Sequence, residues 1–172
     1  MKPPRSPFEQ QSSIRPGDRA LAAASVMLGS LATIVPLVAT VPFLPPFGLL
    51  MLLGWRLRRA ELFASWAVVP LGLFDDLVSG QPVGSAMAFW TLCVVAVDVL
   101  DTRLVWRDFW QDWLIAGGAI GFCLIAQRLV ASPLRAHVDT LMLIQVAVSC
   151  ALYPLAAYVC ARIEGRRRAR FQ

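Results

Sequence analysis

From Ala20 to Trp55 the chain runs for 36 residues without a charged side chain. A transmembrane helix needs about 20 apolar residues to cross a hydrocarbon layer roughly 30 Å thick. The run is therefore too long for one crossing and slightly short for two. Pro36, Pro42, Pro45 and Pro46 punctuate its middle, where a proline ring breaks a continuing helix. Arg15 and Arg19 precede the run, and Arg56, Arg58 and Arg59 follow it. If both clusters lie on the cytoplasmic side, the chain between them crosses an even number of times. Two thin tilted spans satisfy that condition, as does one span followed by a re-entrant segment.

The remainder repeats the pattern. Apolar stretches at Leu62–Val78, Ser85–Leu100, Trp110–Val130 and Leu141–Ala161 supply a third to a sixth span. Charged residues make up 16% of the 172 residues and the mean hydropathy is +0.62, whereas soluble domains carry about 25% charged residues. The expected fold is an all-α integral membrane bundle of about six short transmembrane helices over residues 20–162. Residues 1–19, polar and proline-rich, are expected to form a disordered cytoplasmic tail, and residues 163–172 a basic cytoplasmic tail. Trp55, Trp106, Trp110, Trp113 and Phe8 fall near span ends, where amphipathic rings favour the headgroup level.

Charge orients this topology. With both ends inside, 14 of the 16 basic residues are cytoplasmic and only Arg128 and Arg135 are not, a bias in the sense of the positive-inside rule. The net charge of +5 thus belongs to span ends and gives no nucleic-acid surface. The C-terminal GRRRAR reads as an anchor to anionic lipid, at ~1 kcal/mol per basic residue near the surface. Cys93, Cys123, Cys150 and Cys160 lie singly in apolar segments, without a CxxC pair, and His137 is the one histidine. They read as packing residues; no metal site and no cofactor is expected. No Ser/His/Asp set, phosphate-binding loop or HExxH is present, so no enzymatic reaction is expected.

Acidic residues at membrane depth cost at least ~2.5 kcal/mol at a helix centre and call for a reason. Asp75 and Asp76 lie near the outer end of the third span, Asp98 near the inner end of the fourth. One of the first two is expected to face headgroups while the other hydrogen-bonds the following turn; alternatively, Asp76 holds an interhelical network or meets a partner. Its expected donors are Ser79 and the amides around Gly80. Asp98 is expected in a solvated interfacial position near Asp101 and Arg103. Gly72, Asp76, Gly80 and Gly84 recur every four residues, but Pro82 ends the helix near Gly80. Gly72 and Asp76 then share a helix face, while Gly80 and Gly84 shape the outer turn. Gly117, Gly118 and Gly121 permit close packing of the fifth span.

The segment PLGLFDDLVSGQPVG, with Gly72, Asp76, Ser79, Gly80 and Gly84, resembles the G-x-x-x-D-x-x-S-G-x-x-x-G core of the rod shape-determining protein MreD family. PPFGLLMLLGW is similar to that family's short second helix, which opens at a proline, here Pro46, with an aromatic residue near its end, here Trp55. One departure is Asp75, where the family has an apolar residue. The resemblance implies a non-enzymatic scaffold of the bacterial inner membrane. Its implied partners are MreC and, with it, a RodA-type glycosyltransferase and penicillin-binding transpeptidase, with MreB filaments coupled indirectly to lateral peptidoglycan synthesis and rod shape. Membrane lipid is a further partner, and homo-oligomerisation stays open. The implied fold is similar to the six-helix substrate-binding subunits of energy-coupling-factor vitamin transporters. That likeness supplies the alternative function, although few polar residues inside the spans could serve a vitamin. A small proton-coupled transporter working through Asp75, Asp76 and Asp98 is the third reading, and none of these acids sits at mid-membrane.

Reporter fusions after Ser13 and after Gln172 are both expected to report cytoplasm. A periplasmic signal at either end would require an odd number of crossings and sink the topology.

Overall fold

A computed structural model of the protein describes residues 16–32, 45–80, 82–103, 108–131 and 140–170, and every regular element among them is helical. Six α-helices follow one another: α1 (Pro16–Leu31), α2 (Phe47–Arg58), α3 (Val68–Ser79), α4 (Ser85–Arg103), α5 (Phe109–Ala131) and α6 (Thr140–Arg170). Two 3-10 turns, Ala60–Leu62 and Ser65–Ala67, join α2 to α3. Three segments are long and apolar enough to cross a membrane: Ser85–Arg103, Phe109–Val130 and Met142–Arg166. Only 17% of the most apolar stretch of each of the last two is buried inside the protein. Leu114, Phe122, Ile125, Leu143 and Leu155 point outward instead. An apolar surface of that extent is a liability in water and an ordinary face toward lipid.

The segmentation differs from the sequence reading at three places, and in the charge-free run it gives two helices as expected. Helix α1 opens at Pro16, because proline's fixed φ suits a first turn and Asp18 there meets the positive end of the helix dipole. Residues 16–19 are therefore helical; residues 1–15 lie outside the described residues. The charge-free run contains two helices, α1 and α2, with Pro36 and Pro42 outside the described residues. Helix α2 has 12 residues, about 18 Å at 1.5 Å per residue, well short of the hydrocarbon thickness. The stretch expected as a third span from Leu62 is broken by the two 3-10 turns, so its α-helix begins only at Val68. At the other end, α6 continues to Arg170, so residues 163–170 extend the last helix instead of leaving it as a tail.

Within the pairs α1–α2, α3–α4, α4–α5 and α5–α6 the two helices run antiparallel. Gly29 on α1 lies against Phe47 and Gly48 on α2, and Gly72 on α3 against Ala86 and Met87 on α4. Phe89 on α4 stacks edge-on with Phe122 on α5, their centroids 6.1 Å apart. The Cys93 and Cys123 sulfurs approach to 3.2 Å across the same seam. Gly117 and Gly121 on α5 face Cys150 and Val146 on α6. Helix α2 sits centrally: nine of its 12 residues are buried, and Gly54 meets Ala156, Ala157 and Cys160 on α6. A helix buried nearly all round needs no polar face, and Leu49, Leu50, Leu52 and Leu53 form the centre of the core with Val26, Trp90, Val94 and Ile120.

Pro154 lies inside α6. It has no N–H to give the carbonyl four residues earlier, that of Cys150. The Trp113 indole Nε1–H donates to that carbonyl at 2.9 Å. Trp113 is thus half-buried and committed to the α5–α6 contact, not to a headgroup belt. Trp55, also expected at the interface, is only 2% exposed and donates to Ser25 Oγ on α1 at 2.8 Å. Trp106 and Phe8 lie outside the described residues.

Among the described glycines, the tightest approach to the backbone of another helix is at Gly72. A Cβ there would stand 2.6 Å from the Met87 Cα, so backbone would have to move. Gly72→Ala should destabilise the detergent-solubilised protein by ~1–3 kcal/mol, the usual cost of overpacking. Gly118→Ala, with nothing within 4 Å of the added atom, should be neutral or slightly stabilising. Thermal unfolding of the two variants decides it; equal stability would contradict the α3–α4 packing.

Candidate functional site

The turn between α3 and α4 gathers the sequence motif around one carboxyl group. Helix α3 stops at Ser79, and Gly80 adopts the left-handed conformation that closes helices, at φ 67°. Gly84 has φ 97°, and between the two glycines the chain reverses. Helix α4 then starts with N–H groups that have no partner within their own helix. Asp76 supplies the partners. Its Oδ1 accepts from the Ala86 N–H at 2.8 Å and the Ser85 hydroxyl at 3.0 Å. Its Oδ2 accepts from the Gly84 N–H at 2.9 Å and the Met87 N–H at 3.3 Å. The Ser85 N–H goes to the Pro82 carbonyl at 3.0 Å, so the first turn of α4 is fully served.

Gly72 makes this possible. It lies one helical turn before Asp76 on the same face, and with no Cβ it lets α3 settle on the start of α4. Asp76 then reaches across and not along its own chain. The donors expected at Ser79 and Gly80 are not the ones used: the Ser79 hydroxyl donates to the Asp75 carbonyl, 2.7 Å away. A single step along a helix turns the side chain by about 100°, and so the two adjacent acids diverge. Asp75, half-buried, lies alongside the Ser30 hydroxyl of α1 where Gly48 leaves room beneath Trp90. Its carboxyl group lies between helices and takes no part in the turn. Pro46 immediately precedes α2, near this end of the bundle but outside the Asp76 turn.

Asp76 is 1% exposed. Four donors, with the positive end of α4 behind them, use both of its oxygens. The group is an external helix cap with no face left for a substrate. Among the described residues, no three His, Cys, Asp or Glu side chains are placed to share a metal ion.

A second polar cluster was not foreseen. Arg56, at the end of α2, is 6% exposed. Its guanidinium donates to the carbonyls of Ala60 and Phe63 and forms an ion pair with Asp98 on α4. The other Asp98 oxygen accepts from the Ser65 hydroxyl at 3.0 Å. Asp98 is therefore tied to Arg56 and is not a simple solvated residue. The cluster ties down the connection between α2 and α3, since Ala60, Phe63 and Ser65 in or beside the two 3-10 turns all bond to it. Forty-two residues separate its two charges, so no periodicity in the sequence could pair them.

Comparison with family models, with curated proteins and with solved structures finds no match for this chain.

Asp76→Ala should lower unfolding stability in mild detergent by ~1–3 kcal/mol, since several buried donors lose their acceptor. Asp76→Asn, which keeps one oxygen, should recover part of the loss. Asp75→Ala should cost less than Asp76→Ala, and the reverse order would remove the capping role from Asp76.

Proposed function

We propose that the protein is a non-enzymatic scaffold of the bacterial cell-wall elongation machinery. In this reading it sits in the inner membrane as a bundle of six helices, with both termini cytoplasmic. It holds MreC and, with it, the RodA-type glycosyltransferase and its penicillin-binding transpeptidase. MreB filaments are coupled only indirectly. The reading is supported by one observation: Gly72, Asp76, Ser79, Gly80 and Gly84, the residues of the family-like core, fall within a single helix–turn–helix unit whose acid is consumed by the turn itself. A carboxyl group used in this way sets the angle between two helices and presents a fixed surface. That suits a protein acting by shape, and it gives Asp76 its influence on a partner without contact.

The measurement is recovery of MreC with each variant at matched membrane expression. Asp76→Ala should reduce recovery several-fold more than Asp75→Ala does. Equal recovery from the two variants would remove the turn from the scaffold function. Finding a stoichiometric vitamin-like molecule on the purified protein by native mass spectrometry would favour the transporter-subunit reading instead.

A further inference from the structure

At the end of the bundle that carries the Arg56–Asp98 pair, the C-terminus of α2 and the last turns of α6 leave an open cleft of about 400 Å³. Arg58, Arg59, Ala161, Glu164 and Gly165 line it. Glu164 stands between the two arginines, 3.3 Å from the Arg59 guanidinium and 4.0 Å from that of Arg58. The side chains of Arg58 and Arg59 are 41% and 31% exposed, while Glu164 is 15% exposed. One carboxylate cannot occupy two guanidinium forks of five donors each. It holds both near the cleft and leaves further guanidinium donors that it does not use. The formal balance of the lining is one positive charge, and Arg162 and Arg166 on the same helix add to the field. Gly165 has nothing within 4 Å of where a Cβ would stand, so that wall is open. Depth is the second constraint. The charge-free stretch of α6 ends at Ala161, just before Arg162, which puts the cleft where the hydrocarbon gives way to headgroups.

We propose that this cleft binds a singly charged phosphate group, supplied by the phosphodiester of an anionic phospholipid. The fit rests on net charge, on guanidinium forks that match phosphate oxygens, and on position at the end of a span. It depends on the protein's residing in a membrane and not on any role in cell-wall synthesis. The site shares Gly165 with the GRRRAR end of α6, but its guanidinium groups come from the C-terminus of α2.

The test uses the full-length protein reconstituted in vesicles of equal parts phosphatidylcholine and phosphatidylglycerol, then released for native mass spectrometry. The protein should retain phosphatidylglycerol in preference to phosphatidylcholine. Arg58→Gln should weaken retention about fivefold, and removing Arg59 as well should weaken it by roughly that factor again, from ~1 kcal/mol per basic residue at the surface. Arg19→Gln with Arg103→Gln removes equal charge at exposed residues that do not line the cleft and should leave most of the retention. Because Arg58 is the more exposed and the more loosely paired of the two, its single variant should elute from size exclusion as the unaltered protein does. Displacement of phosphatidylglycerol by millimolar inorganic phosphate would assign the same cleft to free phosphate. Retention unchanged by the cleft variants, or lost equally with the Arg19 and Arg103 variant, would overturn the proposal.

Discussion

The carboxyl group of Asp76 stands where neither water nor lipid can serve it, so the protein has to. Burying an acid without partners costs far more than any packing it could gain. The start of α4 is in the complementary position, with backbone N–H groups that its own helix cannot use. Bringing the two together removes both costs at once. The rest of the local structure follows from that pairing. Gly72 must lack a side chain for the helices to come close enough. Gly80 and Gly84 must take positive φ for the chain to double back in so short a distance. Ser85 adds a hydroxyl on the same oxygen as Ala86.

The same requirement recurs elsewhere in the bundle. Pro154 leaves a carbonyl without its helical donor, and Trp113 on the neighbouring helix provides one. Arg56 brings a cation under the surface, and Asp98 with two backbone carbonyls surrounds it. In each case a polar group that would find water in a soluble protein finds a second helix. The three links join α3 to α4, α5 to α6, and α2 to α4, so these polar contacts fix the register of helices whose apolar sides specify little. Lipid is as apolar as leucine, and packing and hydrogen bonds rather than hydrophobic exclusion hold such helices together.

The small central helix is the other organising feature. Helix α2 is too short to cross alone and too apolar to lie at a surface, and it is enclosed by its neighbours. Its charged end meets α4 through Arg56 and α6 through Arg59, which concentrates the ion pairs at one end of the bundle. The opposite end holds the Asp76 turn. A protein built this way offers lipid an apolar circumference and offers partners two polar ends of different character. This arrangement fits the proposed scaffold role and the proposed phosphate cleft independently.

By itself the sequence determined the class and the outline. A chain that runs 36 residues without a charge and follows it with four further apolar stretches has few choices besides a helical membrane bundle, because lipid leaves backbone groups no partner but the helix itself. The division of labour in the motif was also legible: Gly72 and Asp76 on one face, Gly80 and Gly84 in the turn, since helical spacing and the proline at 82 act locally. What only the tertiary structure decided was which groups satisfy one another. Asp76 takes its donors from Gly84 to Met87 and not from Ser79 or Gly80, Asp98 pairs with Arg56, and Trp55 and Trp113 face inward. Each of these contacts joins separate helices, and some span more than 30 residues. Local periodicity shows which face of a helix is polar; only the folded bundle shows what that face meets.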